Sequence, residues 1–147
     1  MKDSSPVKLF FSQNFFFQNR HAQLKDFLRE SALPFEEVYL PNSSSIERAA
    51  SARSRQQICR AMLNTDYYLI MADRYSENYQ MLHPELTCAD LLKVPVIVIQ
   101  PWSCWSIPTS LKVKATRILP WRSASLVDYL KSANFSTDTA NAYGGNR

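Results

Sequence analysis

Residues 67–99 read YYLIMADRYSENYQMLHPELTCADLLKVPVIVI and contain two apolar runs separated by a helical segment. The runs YYLIMA at 67–72 and VPVIVI at 94–99 are almost continuously apolar, which is typical of parallel strands buried on both faces. Between them, Pro84 suits the first turn of a helix, so the pattern predicts a loop over 73–82 and a short helix over 84–92. The stretch therefore predicts a strand–helix–strand unit with parallel strands.

The same alternation extends in both directions along the chain. Further strands are predicted at 7–12, 35–40 and 117–119, and further helices at 15–29, 46–63, 109–116 and 123–135. No hairpin signal interrupts the alternation, so the chain is predicted to be an α/β protein with a parallel sheet covered on both faces. Right-handed crossovers between five strands favour a flavodoxin-like three-layer sandwich with strand order 2-1-3-4-5.

Length and composition limit the class of protein. With 147 residues the chain fits a single domain, predicted to span 1–135, followed by a polar tail over 136–147 that is expected to be flexible. The net charge of +4 is spread along the chain, so no nucleic-acid partner is expected. We find no apolar run of membrane-spanning length and no secretory signal, so no membrane association and a cytoplasmic location are expected.

Glycine and cysteine usage exclude several kinds of site. The chain has only two glycines, Gly144 and Gly145, both near its end. The folded part therefore lacks a Walker loop or a GxGxxG motif, in which glycine lets the backbone approach phosphate closely. The three cysteines have no metal-site spacing, so no metal is expected, and we interpret all three as small buried apolar residues.

Candidate functional residues lie where strands 1 and 3 are predicted to end. Ligands of such sheets bind beyond the carboxyl ends of the strands, where the strand order reverses. Glu85 is the catalytic candidate, because it begins the helix after strand 3 at the margin of the inward face. Spacing alone favours a different role for it, a glutamate that complements the helix dipole. The candidate substrate-binding residues are Phe11, Ser12, Gln13, Asn14, Asn42, Asp73, Arg74, Tyr75, Leu82 and His83.

Several short motifs, in order, resemble a known family. They are the opening strand VKLFFS at 7–12, DYYLIMADRY at 66–75, PEL at 84–86, KVPVIVIQPW at 93–102, IP at 107–108 and WRSASLV at 121–127. Together they are similar to TIR-like domains, and in particular to the signal-producing subunit of Thoeris anti-phage defence systems. The resemblance covers most of residues 7–134. Two positions depart from the family pattern: Gln13 stands where histidine is frequent, and MLHP at 81–84 lacks the usual aromatic residue.

The resemblance implies a flavodoxin-like, TIR-like enzyme that uses NAD as its substrate and needs no cofactor. Many family members cleave NAD at the nicotinamide–ribose bond, and Glu85 matches their catalytic glutamate. The product would be an ADP-ribose-derived signal, either a cyclic isomer or a conjugate, that diffuses to a partner effector. Assembly into a homo-oligomer is a further expectation. Three alternatives stay open: a non-catalytic TIR-like interaction module, an enzyme resembling nucleoside deoxyribosyltransferases, and a plain nucleotide sensor.

Overall fold

Five parallel strands form one sheet in the order β2-β1-β3-β4-β5, as the sequence pattern predicted. The computed structural model describes residues 6–12, 20–38, 52–73, 75, 79–102, 104, 106–122 and 124–132. The strands are β1 (Val7–Phe11), β2 (Phe35–Val38), β3 (Tyr67–Met71), β4 (Val96–Gln100) and β5 (Arg117–Pro120). The helices are α1 (Arg20–Glu30), α2 (Ala52–Met62), α3 (Tyr79–Leu92), α4 (Thr109–Lys112) and α5 (124–132). The predicted tail over 136–147 lies outside the described residues.

Helices cover both faces of the sheet, and each face has its own apolar core. One core contains Phe10, Tyr68 and Ile70 from the strands beneath α2, α3 and α4. The other contains Leu9 and Leu69 beneath α1 and α5. Because side chains alternate along a strand, neighbouring residues of the central strands are buried in opposite cores. The outer strands β2 and β5 are largely exposed or half-buried, as expected for the edges of a sheet.

The predicted start of α3 was wrong. The helix begins at Tyr79 and contains Pro84, instead of beginning at Pro84. Proline removes one backbone hydrogen bond inside a helix and usually disfavours it there. Here the first turns are held by packing, because the Tyr79 ring contacts both Tyr75 and His83, and Leu82 and Pro84 are buried. Tertiary contacts thus outweigh the local cost of the proline.

The interpretation of the cysteines also needs correction. Cys59 of α2 and Cys88 of α3 form a disulfide, with their Cα atoms 5.0 Å apart, and only Cys104 is a free thiol. The two cysteines are far apart in the sequence and meet because α2 and α3 pack side by side on one face of the sheet. Spacing along the chain contains no information on that contact. Among the described residues, no helix is long and apolar enough to cross a membrane.

Candidate functional site

The Glu85 side chain is completely buried. It lies near the middle of α3, and its neighbours on the helix, Leu82, Leu86 and Ala89, belong to the apolar core between α3 and the sheet. An ionised carboxylate in such surroundings costs several kcal/mol unless hydrogen bonds or charges compensate for its lost hydration. Glutamate is therefore seldom buried without a specific reason.

Tyr68 of β3 supplies one compensating hydrogen bond. Its hydroxyl donates to Oε1 of Glu85 over 2.6 Å, and both side chains are fully buried. The ring of Tyr68 also packs against Phe10, with centroids 5.9 Å apart. Burial, followed by the nearby Glu85 carboxylate, raises the pKa of the Tyr68 phenol well above its usual value. The phenol therefore stays protonated and remains a donor to Glu85.

Ser12 completes a buried polar chain at the carboxyl end of β1. Its backbone N–H donates to the Leu69 carbonyl over 2.8 Å, and its side chain is fully buried. The Ser12 side chain also hydrogen-bonds to Tyr68. Because the phenol proton points at Glu85, the serine hydroxyl acts as the donor to the phenol oxygen. We call Ser12, Tyr68 and Glu85 the buried polar trio; it joins β1, β3 and α3 where the strand order reverses.

Asp73, a predicted binding residue at the end of β3, forms an ion pair. Its Oδ1 lies 2.8 Å from a guanidinium nitrogen of Arg20, the first residue of α1, and both side chains are mostly buried. The same guanidinium lies over the ring of Trp121, 5.9 Å from its centroid. The arginine thus ties α1 to the end of β3 and to the segment after β5. Sequence reasoning gave Arg20 no role.

The other described candidates lie in three different surroundings. Phe11 is buried in the core on the opposite face from Glu85, with its ring against His21. Leu82 and Tyr75 are buried in the core that also surrounds Glu85, and burial raises the pKa of the Tyr75 phenol. His83 is exposed and stacks on Tyr79. Gln13, Asn14, Asn42 and Arg74 lie outside the described residues.

A second polar cluster lies on the opposite face of the sheet and was missed by sequence reasoning. Nε2 of His21 contacts Oε2 of Glu37, and Nζ of Lys25 lies 3.2 Å from Oε1 of the same carboxylate. His21 and Lys25 share one side of α1, as residues four apart do, and face the edge strand β2. In the sequence, the one available signal for this cluster was a charged residue, Glu37, on the inward-facing side of an edge strand. The described residues contain no group of three acidic, histidine or cysteine side chains that could hold a metal ion.

Two surface clefts are formed by described residues, and Glu85 lines neither of them. One, of about 320 Å³, lies between the end of α3 and the beginnings of β4 and β5. The other, of about 480 Å³, lies between α1 and β2.

No protein-family model matches this chain, and no curated protein matches it in sequence.

Proposed function

We propose that the protein is a TIR-like enzyme that cleaves NAD at the nicotinamide–ribose bond and uses Glu85 as its catalytic carboxylate. The observation that supports this proposal is the complete burial of Glu85 beside Ser12 and Tyr68, where β1 and β3 diverge to their helices. A buried carboxylate opposes folding, and residues that oppose folding are concentrated at functional sites.

The reaction requires little more from the protein than a fixed negative charge. The nicotinamide ring of NAD is cationic, and it leaves as a neutral molecule when the C1′–N bond breaks and both bonding electrons move to the ring nitrogen. Positive charge then develops on the ribose, in an oxocarbenium-like transition state. A carboxylate held close to the ribose stabilises that charge more strongly than it stabilises the ground state, which is the condition for catalysis.

Tyr68 acts in this proposal as a positioning residue. Its hydroxyl holds Oε1 of Glu85 by a hydrogen bond of 2.6 Å. Ser12 orients the phenol in turn. A carboxylate fixed in this way needs little reorganisation as the ribose becomes cationic, and preorganisation of this kind is usually the largest part of electrostatic catalysis.

An acceptor then attacks C1′ and determines the product. Water gives ADP-ribose and releases one proton; an adenine nitrogen of the same molecule gives a cyclic isomer; a second small molecule gives a conjugate. Following the family resemblance, we propose that the product is a diffusible signal for an effector protein in anti-phage defence. The buried polar trio stabilises the common oxocarbenium-like step and is compatible with each acceptor.

The test compares cells that produce the wild-type protein, Glu85→Gln or Glu36→Gln, with and without phage. Glu36 is an exposed glutamate of β2 and serves as the matched control. Mass spectrometry measures NAD, nicotinamide and ADP-ribose-derived products, and circular dichroism of the purified proteins checks the fold. We expect Glu85→Gln to lower nicotinamide release at least about 100-fold, the usual effect of removing such a group, and Glu36→Gln to leave it unchanged.

Two outcomes would refute the proposal. Equal NAD loss with wild-type protein and with folded Glu85→Gln would remove the catalytic role of the carboxylate. Absence of NAD loss with wild-type protein, with or without phage, would remove the activity itself. In that second case, base exchange on deoxynucleosides by the purified protein would identify the deoxyribosyltransferase-like alternative.

A further inference from the structure

The Cys59–Cys88 disulfide ties together two helices that cover the face of the sheet containing Glu85. Cys59 lies on α2 and Cys88 on α3, and both helices pack on the core that includes Tyr68. The two helices are held on the sheet by apolar contacts, including those of Ile58 and Met62, and α3 also by the Tyr68–Glu85 hydrogen bond. The disulfide is thus a covalent connection between two otherwise non-covalently packed helices.

The bridge is anchored one helical turn from Glu85. Cys88 follows Glu85 by three residues in α3, a spacing that places two side chains on neighbouring parts of one helix face. The Glu85 carboxylate, in turn, meets Tyr68 over only 2.6 Å. A displacement of this turn by about 1 Å would take the oxygen atoms beyond hydrogen-bond distance. By restraining Cys88, the disulfide therefore also helps to fix the geometry of the buried polar trio.

Loss of the bridge is expected to loosen α3 without unfolding the protein. Ile58 and Met62 of α2, and Leu82 and Ala89 of α3, have no exposed surface in the folded chain. Their burial continues to hold both helices on the sheet after reduction. A reversible switch, unlike a purely structural bridge, requires a reduced state that stays folded and in which Glu85 is less constrained.

Of the two cysteines in the bridge, Cys59 is the more exposed and is where a small thiol would attack. Cys88 is almost fully buried, but Cys59 is only half-buried. A thiolate of a dithiol reductant can attack Sγ of Cys59; the S–S bond breaks, and its electron pair leaves on Sγ of Cys88, which then takes a proton. The second thiol of the reductant resolves the mixed disulfide, giving a Cys59 thiol and the oxidised dithiol. In a reducing compartment such as the cytoplasm, which the sequence predicts for this chain, disulfides are usually transient and either catalytic or redox-sensing.

We propose that the Cys59–Cys88 pair is a reversible redox switch that controls the Glu85 site. In the oxidised state the bridge holds the turn of α3 that carries Glu85, and reduction releases it. The effect on catalysis rests on the proposed function: NAD cleavage is expected to be active in the oxidised state and to fall when the bridge is reduced. The effect on α3 itself is independent of any activity.

The experiment equilibrates the purified protein with mixtures of reduced and oxidised dithiothreitol. Thiols are alkylated and counted by mass spectrometry, and amide hydrogen exchange is measured across 79–92. Cys59→Ser removes the bridge, and Cys104→Ser, which changes the free thiol, is the matched control. On reduction we expect alkylation of Cys59 and Cys88, reversed by reoxidation, and exchange in α3 at least about tenfold faster. Cys59→Ser should exchange fast in both buffers, whereas Cys104→Ser should behave as wild type.

A second measurement separates the proposed switch from the proposed function. Nicotinamide release from NAD is measured on the same samples and on phage-infected cells that produce Cys59→Ser or Cys104→Ser. A tenfold or greater loss with Cys59→Ser but not with Cys104→Ser would support the switch. Faster exchange in α3 with equal NAD cleavage in both redox states would overturn it. Cysteines that stay reduced in oxidising buffer would overturn it as well. Reversible loosening of α3 in a protein that never cleaves NAD would support the redox-dependent clamp and refute the proposed function.

Discussion

Replacing Tyr68 with phenylalanine would remove one hydroxyl from the interior and leave the ring volume unchanged. Glu85 would lose the donor 2.6 Å from its Oε1 while staying buried, and Ser12 would lose its contact with the phenol. A hydrogen bond to a charged group contributes about 1.5–3 kcal/mol, and a neutral one about 1 kcal/mol. We therefore expect the free energy of unfolding to fall by about 3 kcal/mol, a large share of the 5–15 kcal/mol typical of a domain.

The measurement is urea unfolding at pH 7, followed by circular dichroism, together with thermal melts under one fixed redox condition. A loss of about 3 kcal/mol corresponds to a fall in melting temperature of about 6–12 °C for a chain of this size. Tyr79→Phe is the control, because it removes the same hydroxyl from a ring that is 43% exposed. We expect the control to change stability by less than about 0.5 kcal/mol.

A double-mutant cycle tests whether the loss comes from the contact with Glu85. If Tyr68 acts through the carboxylate, Tyr68→Phe should cost at least about 1 kcal/mol less in a Glu85→Leu background, where no buried charge needs its donor. A stability of Tyr68→Phe equal to that of Tyr79→Phe would refute the reasoning. So would strictly additive effects of the Tyr68 and Glu85 substitutions.

Two further predictions concern titration and charge pairing. Because burial and then Glu85 raise the pKa of Tyr68 well above its usual value of about 10, the folded protein keeps a proton that the unfolded chain has lost at alkaline pH. The contribution of the protonated Tyr68 to the free energy of unfolding is complete below about pH 10. It is lost as the pH rises toward the pKa of Tyr68 in the folded protein, by up to about 1.4 kcal/mol per pH unit. Tyr68→Phe should flatten the alkaline slope by that amount in urea titrations, and identical slopes would contradict the buried phenol. Asp73→Asn should cost about 1 kcal/mol, because it removes the ion pair between Asp73 and the mostly buried Arg20. Asp26→Asn, at a carboxylate that is 65% exposed, should cost less than about 0.5 kcal/mol. Urea unfolding measures both variants. Equal losses of stability for Asp73→Asn and Asp26→Asn would show that the pair between Arg20 and Asp73 contributes no more than a surface pair.

The buried polar trio was only partly predictable from sequence. Glu85 and Ser12 were selected because topology brings the end of β1 and the beginning of α3 to one region. Tyr68 was not selected, since a tyrosine in an apolar strand is usually an ordinary core residue. The contact between Tyr68 and Glu85 becomes apparent only in the folded structure, where α3 packs on β3, because it depends on where the helix begins. The predicted start at Pro84 was itself wrong by more than one turn.

The sequence by itself determined the α/β class, the parallel sheet and its strand order. Those features follow from local patterns: apolar runs of strand length, helical spacing between them, and the handedness of the crossovers. The tertiary structure alone decided which distant side chains meet: Tyr68 with Glu85, Cys59 with Cys88, and Arg20 with Asp73. Such contacts join separate elements, and shifts or rotations of a few ångströms make or break them while leaving the apolar periodicity unchanged.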